Sequence, residues 1–257
     1  MTTPVQTAVE QMIEGRSNRR PLVPLSETQA DLTLDRAYVI QDALRSELDR
    51  RGERPIGWKL GATSPASQAA MGLKEPICGF LFARRFASGA AVSLQGFVGL
   101  AVEAEVAFRI GRTLAGPGVT AATALLAVDG AAAALELPDL MFSGKPGVAD
   151  FIANSLIANA VVLGGFAPLG GLDLAAEAVV VEHNGEVVGT HTAAEVLGNP
   201  LNALAWLANH LATRGLALQP GDVVMSGAIS KVLRPKAGDT IEARFGHLGS
   251  VSVKVVT

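Results

Sequence analysis

The sequence predicts an α+β fold in which a mixed sheet or β-roll follows a small N-terminal helical portion. Two segments with helical spacing precede residue 55, and glycines divide the rest of the chain into short apolar segments. Many strands with interspersed helices, but no regular alternation of the two, are typical of this class. We therefore predict a helical subdomain over residues 1–54 and a β-roll domain over residues 55–257.

The two N-terminal helices are predicted over residues 5–15 and 35–51, joined by a linker over residues 21–33 that contains proline and serine. In the second segment, apolar residues recur at the spacing of one helix face. Asp35 is the expected N-terminal cap of this helix, and Gly52 is the expected stop.

The central part of the chain predicts alternating short strands and helices. Strands are expected at residues 56–61, within 98–110, at 130–137 and up to Gly164. Helices are expected at residues 64–71, 120–127 and 148–156, with Thr120 as a cap for the second of these.

The C-terminal part is rich in predicted strands. Asn184-Gly185 lies between strands predicted at residues 178–182 and 186–190, which is a strong signal for a two-residue hairpin turn. An amphipathic helix is expected at residues 200–214. Three further strands are expected at residues 222–226, 240–245 and 251–256.

Composition argues against several classes of partner. The chain has 257 residues and a formal net charge of −3, with its Lys and Arg scattered, so we expect no binding to nucleic acid. Its apolar runs are too short to span a membrane. With Cys78 as the single cysteine, no intramolecular disulfide can form, and a cytoplasmic location fits. We interpret Cys78 as a small buried hydrophobe rather than a nucleophile.

Two glutamates lie close together in one apolar strand. Side chains on a strand alternate between its faces, so Glu103 and Glu105 share a face, roughly 7 Å apart along the backbone. Carboxylates at this spacing repel each other unless a positive charge lies between them. A hard divalent cation such as Mg²⁺ is one solution, and exposure of both side chains to water is the other.

Two further charged residues lie in apolar segments. Glu136 ends the run AAAALEL at residues 131–137, where an unpaired buried carboxylate would be costly. Glu136 lies either at the exposed end of its strand or beside a cation, and one metal ion shared with Glu103 and Glu105 is the simplest explanation of all three acids. Lys59 lies between Gly57 and Gly61, either extending towards solvent or stabilising an anion in a pocket.

Nine motifs occur in order through nearly the whole chain. They are AYVIQ at residues 37–41, GWKLGATS at 57–64, VEAEVAF at 102–108, ALEL at 134–137, VLG at 162–164, NGEVV at 184–188, VLGNP at 196–200, WLAN at 206–209 and GDVVMSG at 221–227. With this set the chain resembles the fumarylacetoacetate hydrolase superfamily, and within it the group of 2-keto-4-pentenoate hydratases and 4-oxalocrotonate decarboxylases.

The resemblance implies a mixed β-roll with an N-terminal helical portion, and Mg²⁺ or Mn²⁺ bound by Glu103, Glu105 and Glu136. It places the lysine of the family at Lys59. It also implies a homo-oligomer, with a related decarboxylase, hydratase or aldolase as a further candidate partner. Where relatives often carry Asp-Ser-Arg and Ala-Asp-Asn, this chain reads Asp-Leu-Met at residues 139–141 and Ala-Asn-Ser at 153–155.

The function that the resemblance implies is a metal-dependent lyase acting on a small 2-oxo or 2-hydroxydienoic acid, as in the breakdown of aromatic compounds. A hydratase of 2-hydroxypenta-2,4-dienoate is the leading interpretation. The alternatives are a decarboxylase of 2-oxo-3-hexenedioate, a C–C hydrolase of acylpyruvates and a non-catalytic accessory subunit.

Several side chains are candidates for roles in that chemistry. Lys59, Glu103 and Asp139 are the candidate catalytic residues, with Asp139 either supporting the metal ligands or capping a helix. Lys59, Ser226 and Gly227 are the candidate substrate contacts. The four histidines show no metal-ligand spacing, and we expect structural or surface roles, with His210 exposed on the C-terminal helix. They are His183, His191, His210 and His247.

Overall fold

The computed structural model describes residues 3–257, which form six α-helices and twelve strands. The helices are α1 (Pro4–Asn18), α2 (Leu34–Arg50), α3 (Pro65–Met71), α4 (Ala121–Leu125), α5 (Val148–Ala153) and α6 (Pro200–Thr213). The strands are β1 (Gly57–Gly61), β2 (Ile77–Leu81), β3 (Arg85–Ala87), β4 (Ala90–Ser93), β5 (Glu103–Ile110), β6 (Val128–Leu137), β7 (Ala160–Leu163), β8 (Ala178–His183), β9 (Glu186–Thr192), β10 (Val223–Met225), β11 (Thr240–Phe245) and β12 (Gly249–Val256).

The strands form two mixed sheets. The larger has the order β2-β1-β10-β5-β6-β7-β3, in which β1 and β10 run parallel, as do β3 and β7. The smaller has the order β4-β12-β11-β8-β9, with β4 and β12 parallel. The remaining pairs are antiparallel. The predicted mixed sheet architecture with N-terminal helices is therefore confirmed.

Small side chains line the inner face of the larger sheet. Ala107 and Ala134 lie there on β5 and β6, packed with Val223 and Met225 of β10 in one buried cluster. Because the facing side chains are small, neighbouring strands can turn sharply towards each other, and the sheet can curl into a roll. The inner face of this roll carries the charged residues described below.

The N-terminal helices pack against each other, α2 also packs against α5, and the apolar faces of both helices join the same buried core as the sheets. Thr33 caps α2, accepting a hydrogen bond from the Arg36 amide, so the prediction of Asp35 as the cap was wrong. Asp35 lies in the first helical turn, where its charge still complements the helix dipole. The subdomain boundary at residue 54 stays a prediction.

The segment predicted as a linker is packed against the protein. Leu22 and Leu25 are buried, and the Leu22 amide donates to the carbonyl of Met141. A single 3₁₀ turn covers Leu25–Glu27. The segment therefore joins the N-terminal helices to the loop that follows β6.

The predicted hairpin and the Thr120 cap are both confirmed. Asn184 and Gly185 have φ values of 55° and 81°, as a two-residue type I′ turn between β8 and β9 requires. The Thr120 side chain accepts a hydrogen bond from the Thr123 amide at the start of α4.

Other predictions differ from the structure. Helix α5 ends at Ala153, and Ser155, Leu156 and Ile157 follow with positive φ values. The strands β2, β3 and β4 were not predicted. Two of them are only three and four residues long, which leaves too few positions for an alternation to show.

The histidine predicted to be exposed is half-buried. His210 stacks on Trp206, with ring centroids 4.7 Å apart, and also packs on Tyr38. Among residues 3–257, no helix combines the length and apolar character that crossing a bilayer requires.

Cys78 on β2 is fully buried, as predicted. Burial raises the pKa of its thiol to about 12, because a thiolate would lose its hydration there; the nearby Arg214 opposes this only in part. A thiol in this setting carries too little thiolate at neutral pH to act as a nucleophile.

We expect Cys78 in the native protein to react very slowly with a thiol-specific disulfide reagent at pH 8. After unfolding in guanidinium chloride, one equivalent should react within minutes, followed by absorbance of the released thiolate. Rapid stoichiometric reaction of the native protein would contradict the burial described for this thiol.

Candidate active site

Four charged side chains lie on the inner face of the roll. Glu103 pairs directly with Glu136 in the register of β5 and β6, and Glu105 pairs with Ala134. Lys59 on β1 lies opposite Met225 of β10, whose side chain belongs to the inner cluster. The alternation of the strands thus directs all four side chains to one side.

The curl of the sheet brings these side chains into contact. Lys59 and Glu136 lie on strands separated by β10 and β5, which in a flat sheet would place their backbones about 14 Å apart. Instead the Lys59 Nζ lies 2.5 Å from Oε1 of Glu136. This ion pair spans the inside of the roll.

One carboxylate oxygen of Glu105 is held by the backbone. The Gly227 amide donates to Glu105 Oε2 at 2.7 Å. Gly227 has a φ of +116°, and an added Cβ would lie 2.3 Å from Oγ1 of Thr63. Glycine is therefore required for the amide to approach Glu105 while Thr63 packs on the other side.

The remaining carboxylate oxygens lack partners. Glu105 and Glu136 are fully buried, and Oε1 of Glu105 and Oε2 of Glu136 accept no hydrogen bond from residues 3–257. Glu103 is half-buried beside them. Each glutamate offers a ligand oxygen, and these three atoms lie within 4.8 Å of one another.

The buried acids perturb each other's ionisation. Burial raises the pKa of Glu105 well above its usual value, and the negative charges of Glu136 and Glu103 add to this. Burial raises the pKa of Glu136 to about 7, although the Lys59 ammonium opposes the shift. When all three carboxylates are ionised, one ammonium leaves two negative charges without a counterpart, and a divalent cation would supply it.

Lys59 is held in its charged form. Burial alone would lower the pKa of Lys59, but the attraction of Glu136, Glu103 and Glu105 outweighs burial, and the net shift is upwards. Nζ also donates to the carbonyl of Leu156 at 3.2 Å. The ammonium is thus fixed between a carboxylate and a backbone carbonyl.

The Leu156 carbonyl belongs to a strained turn. Ser155, Leu156 and Ile157 have φ values of 52°, 51° and 53°, a left-handed conformation that is costly for residues other than glycine. The Ser155 hydroxyl accepts from the Phe80 amide at 2.7 Å and donates to the Phe80 carbonyl at 2.8 Å. These bonds attach the turn to β2.

A cavity of about 530 Å³ opens beside Lys59 and Glu103. Much of its wall is apolar and comes from α3, β2, α5 and the loops between strands. The apolar lining includes Met71, Ile77, Leu140, Phe151, Leu156 and Ile157. The charged or titratable lining residues are Lys59, Glu103, His191, Glu195 and Lys231. A small organic acid would fit such a volume.

Asp139 supports the wall of this cavity from behind. Its Oδ1 accepts from the amides of Val98 and Gly99, and its Oδ2 accepts from Asn159. The helix-cap alternative for Asp139 was wrong, since α5 begins at Val148 with Gly147 as its cap. Within the described chain, none of its hydrogen bonds goes to the three glutamates.

The two predicted substrate contacts after β10 lie deeper than expected. Ser226 is fully buried, and its hydroxyl has no hydrogen-bond partner in residues 3–257. Gly227 supports Glu105, as described above. The part of this loop that lines the cavity is formed by residues 228–232. Substrate contact by Ser226 and Gly227 stays a prediction.

One side chain that supports the strained turn and two that line the cavity were missed from the sequence. Arg16 of α1 donates to the side chain and carbonyl of Asn154 and to the carbonyl of Ala158, at the base of the strained turn. His191 and Glu195 line the cavity itself. The spacing of four residues between them could have indicated a contact, as it does on a helix. Here one residue lies near the end of a strand and the other lies in the following turn, so the spacing alone does not predict that they meet.

A comparison with models of protein families identifies the family of this chain. The model of the family described as fumarylacetoacetate (FAA) hydrolase C-terminal matches residues 62–256. This chain belongs to the fumarylacetoacetate hydrolase family. The match covers all three glutamates and starts three residues after Lys59.

Similar proteins and a solved structure indicate the group within this family. A 2-hydroxyhexa-2,4-dienoate hydratase of Comamonas testosteroni is 31% identical and covers 97% of each chain. A 2-keto-4-pentenoate hydratase of Burkholderia vietnamiensis is 36% identical over 93% of this chain and 92% of its own. The structure of 4-oxalocrotonate decarboxylase from Pseudomonas putida G7, complexed with magnesium and adipate, is 31% identical, with a TM-score of 0.95 over 100% of this chain and 99% of its own.

These comparisons confirm the predicted family, group and β-roll fold, and with them the prediction that the chain is an enzyme. The roles of the individual site residues stay predictions.

We expect Gly79→Ala to destabilise the protein and to lower activity. An added Cβ would lie 2.6 Å from the backbone carbon of Ser155, so the turn that holds Lys59 would have to move. A loss of about 2 kcal/mol or more in unfolding free energy is typical of such overpacking. Urea unfolding measures it.

Gly165→Ala is the matched control, because an added Cβ there has nothing within 4 Å. Equal stability of the two variants would show that β2 and the turn are not in close contact.

Proposed function

We propose that this chain is a divalent-metal-dependent hydratase of 2-hydroxydienoic acids, with 2-hydroxypenta-2,4-dienoate as the simplest substrate. The observation that carries the proposal is the convergence of Glu103, Glu105 and Glu136 beside Lys59 and an open cavity. The hydratases that align along nearly the whole chain support the reaction class.

The donor set fits a hard divalent cation. Glu103, Glu105 and Glu136 supply only carboxylate oxygens, the ligand type that Mg²⁺ and Mn²⁺ prefer. Within residues 3–257, Oε1 of Glu105 and Oε2 of Glu136 have no hydrogen-bond partner, so both are available as ligands for such an ion. When bound, the ion would act as a Lewis acid towards the 2-oxygen and carboxylate of the substrate.

The protein's own residues would hold and orient the substrate. The Lys59 ammonium would attract the substrate carboxylate, and its bond to the Leu156 carbonyl keeps it pointing into the roll. The apolar wall formed by Met71, Ile77 and Phe151 would pack on the diene and exclude water from its sides. A small 2-oxo or 2-hydroxydienoic acid is therefore the proposed substrate. We also still expect the chain to form a homo-oligomer.

Decarboxylation of 2-oxo-3-hexenedioate is the second candidate. The close structural match to 4-oxalocrotonate decarboxylase favours it. The two candidates differ in whether the substrate's far end carries a carboxylate. A direct assay with Mg²⁺ or Mn²⁺ separates them, following loss of ultraviolet absorbance for hydration and CO₂ release for decarboxylation.

Hydration of 2-hydroxypenta-2,4-dienoate that is lost on metal removal is the expected result. CO₂ release without hydration would assign the decarboxylase reaction instead. Cleavage of acylpyruvates alone would assign a C–C hydrolase, and inactivity on all three substrates would leave the accessory-subunit alternative.

Glu103→Gln and Glu105→Gln should each lower kcat by about 10³-fold or more, because each removes a negative ligand from the proposed ion. The variants should remain folded, as judged by circular dichroism. Glu186→Gln on the exposed hairpin is the control and should match the wild type. Full activity of wild-type enzyme after exhaustive chelation would refute the metal dependence.

Metal addition should stabilise the wild type against heat. A ligand at 100 times its Kd contributes about 2.7 kcal/mol, which raises Tm by about 5–10 °C in a chain of this size. Glu105→Gln should lose most of this shift, whereas its metal-free Tm should not fall, because the amide oxygen can still accept from Gly227. An undiminished shift in the variant would show that the ion binds elsewhere.

A further inference from the structure

Hydration of a 2-hydroxydienoate needs an acid–base group far from the proposed ion. The assignment of that group rests on the proposed hydratase function. The 2-oxygen and carboxylate of the substrate lie at one end, whereas C5 must gain a proton and C4 must gain water at the other. Side-chain groups that exchange protons near neutral pH supply such steps in enzymes.

Few lining groups remain for this task. Lys59 is bound to Glu136 and to the Leu156 carbonyl, and Glu103 belongs to the proposed ligand set. Lys231 is exposed. Of the titratable residues that line the cavity in the described chain, His191 and Glu195 remain.

His191 is directed inwards from the smaller sheet. It pairs with Val179, whose side chain is buried in the core, and both therefore lie on the inner face of that sheet. Its neighbours Thr190 and Thr192 are exposed, whereas His191 is half-buried. Its imidazole lies over Gly189, where an added Cβ would be 2.5 Å from Nε2.

Glu195 fixes the orientation of this ring. The His191 Nδ1 lies 2.9 Å from Oε1 of Glu195, so the carboxylate engages one ring nitrogen and leaves Nε2 for proton exchange. A histidine held at one nitrogen by a carboxylate, with its ring bordering a substrate cavity, is a recurrent general acid–base arrangement.

A chain of contacts joins this pair to the acid cluster. The Leu197 amide, two residues after Glu195, donates to the Thr63 carbonyl at 2.8 Å. Thr63 packs against Gly227, and the Gly227 amide holds Glu105. The pair and the cluster are thus connected through Thr63, which also lines the cavity.

We propose that His191 is the acid–base residue for the remote carbons of the substrate and that Glu195 is its positioning residue. In the first step the 2-hydroxyl loses its proton to solvent and the C2 carbonyl forms. The C2–C3 double-bond pair moves to C3–C4, and the C4–C5 pair takes a proton from the imidazolium at C5.

In the second step water adds across C3 and C4. Its oxygen bonds to C4, its proton passes to the neutral imidazole, and the C3–C4 pair moves to C2–C3, leaving negative charge on the 2-oxygen. C3 then takes the proton back from the ring and the carbonyl re-forms. The imidazole finally regains from solvent the proton that the 2-hydroxyl released, so the cycle balances.

The test uses full-length His191→Ala with Mg²⁺ and 2-hydroxypenta-2,4-dienoate. We expect kcat to fall about 10²–10⁴-fold with KM within about threefold of the wild type. Added imidazole at tens of millimolar should restore part of the activity, since it can occupy the vacated space. In D₂O, incorporation of deuterium at C5 of the product, followed by NMR, should slow with kcat.

His183→Ala is the matched control, because His183 Nε2 also lies 2.9 Å from a carboxylate oxygen, that of Asp239, and it lies on β8 of the same sheet. It should keep wild-type kcat and show no response to imidazole. Glu195→Gln should lower kcat by about 10–100-fold and should not respond to imidazole, because the ring is still present. The metal-induced Tm shift, measured in parallel, should persist in all three variants.

Activity of His191→Ala within twofold of the wild type would overturn the assignment, as would a loss that imidazole does not restore. Either result leaves the proposed hydratase function intact, because the wild type still hydrates the substrate. Absence of hydration by the wild type would instead refute the proposed function, and the role of His191 would be refuted with it.

Discussion

The ion pair between Lys59 and Glu136 is the interaction on which the site depends. It joins strands that are not neighbours, so it exists only because the larger sheet closes strongly on itself. Removing either partner would leave a buried charge uncompensated, which is far more costly than losing an exposed pair. The pair also reduces the repulsion among three acids that the protein has gathered in one place.

Small residues and tight backbone contacts make that closure feasible. Alanines on β5 and β6 leave space inside the roll, and Gly79 and Gly227 allow backbone segments to approach where any side chain would collide. The left-handed turn at Ser155–Ile157 stores strain that its hydrogen bonds to β2 offset. Stability is thus given up locally to hold polar groups where the chemistry needs them.

Much of the fold and the core of the site followed from local patterns. Each of these patterns depends only on residues close together in the sequence. They are the alternation around Glu103 and Glu105, the lone acid Glu136 in an apolar run, and the turn at Asn184–Gly185. The cap of α2 and the short strands did not follow, since Asp35 and Thr33 are both good cap residues and the short strands have too few positions to show an alternation. His191 was missed because its place beside the cavity depends on how the second sheet lies against the first, which no local pattern encodes.

The way Glu105 and Glu136 are held has a consequence for coordination. In each, one oxygen contacts the protein, through the Gly227 amide or the Lys59 ammonium, and the other has no hydrogen-bond partner within residues 3–257. With one oxygen from Glu103 as well, the protein would offer three carboxylate ligands to a divalent cation. Because Mg²⁺ and Mn²⁺ usually take more than three ligands, such restraint would leave room for the substrate to bind to the same ion.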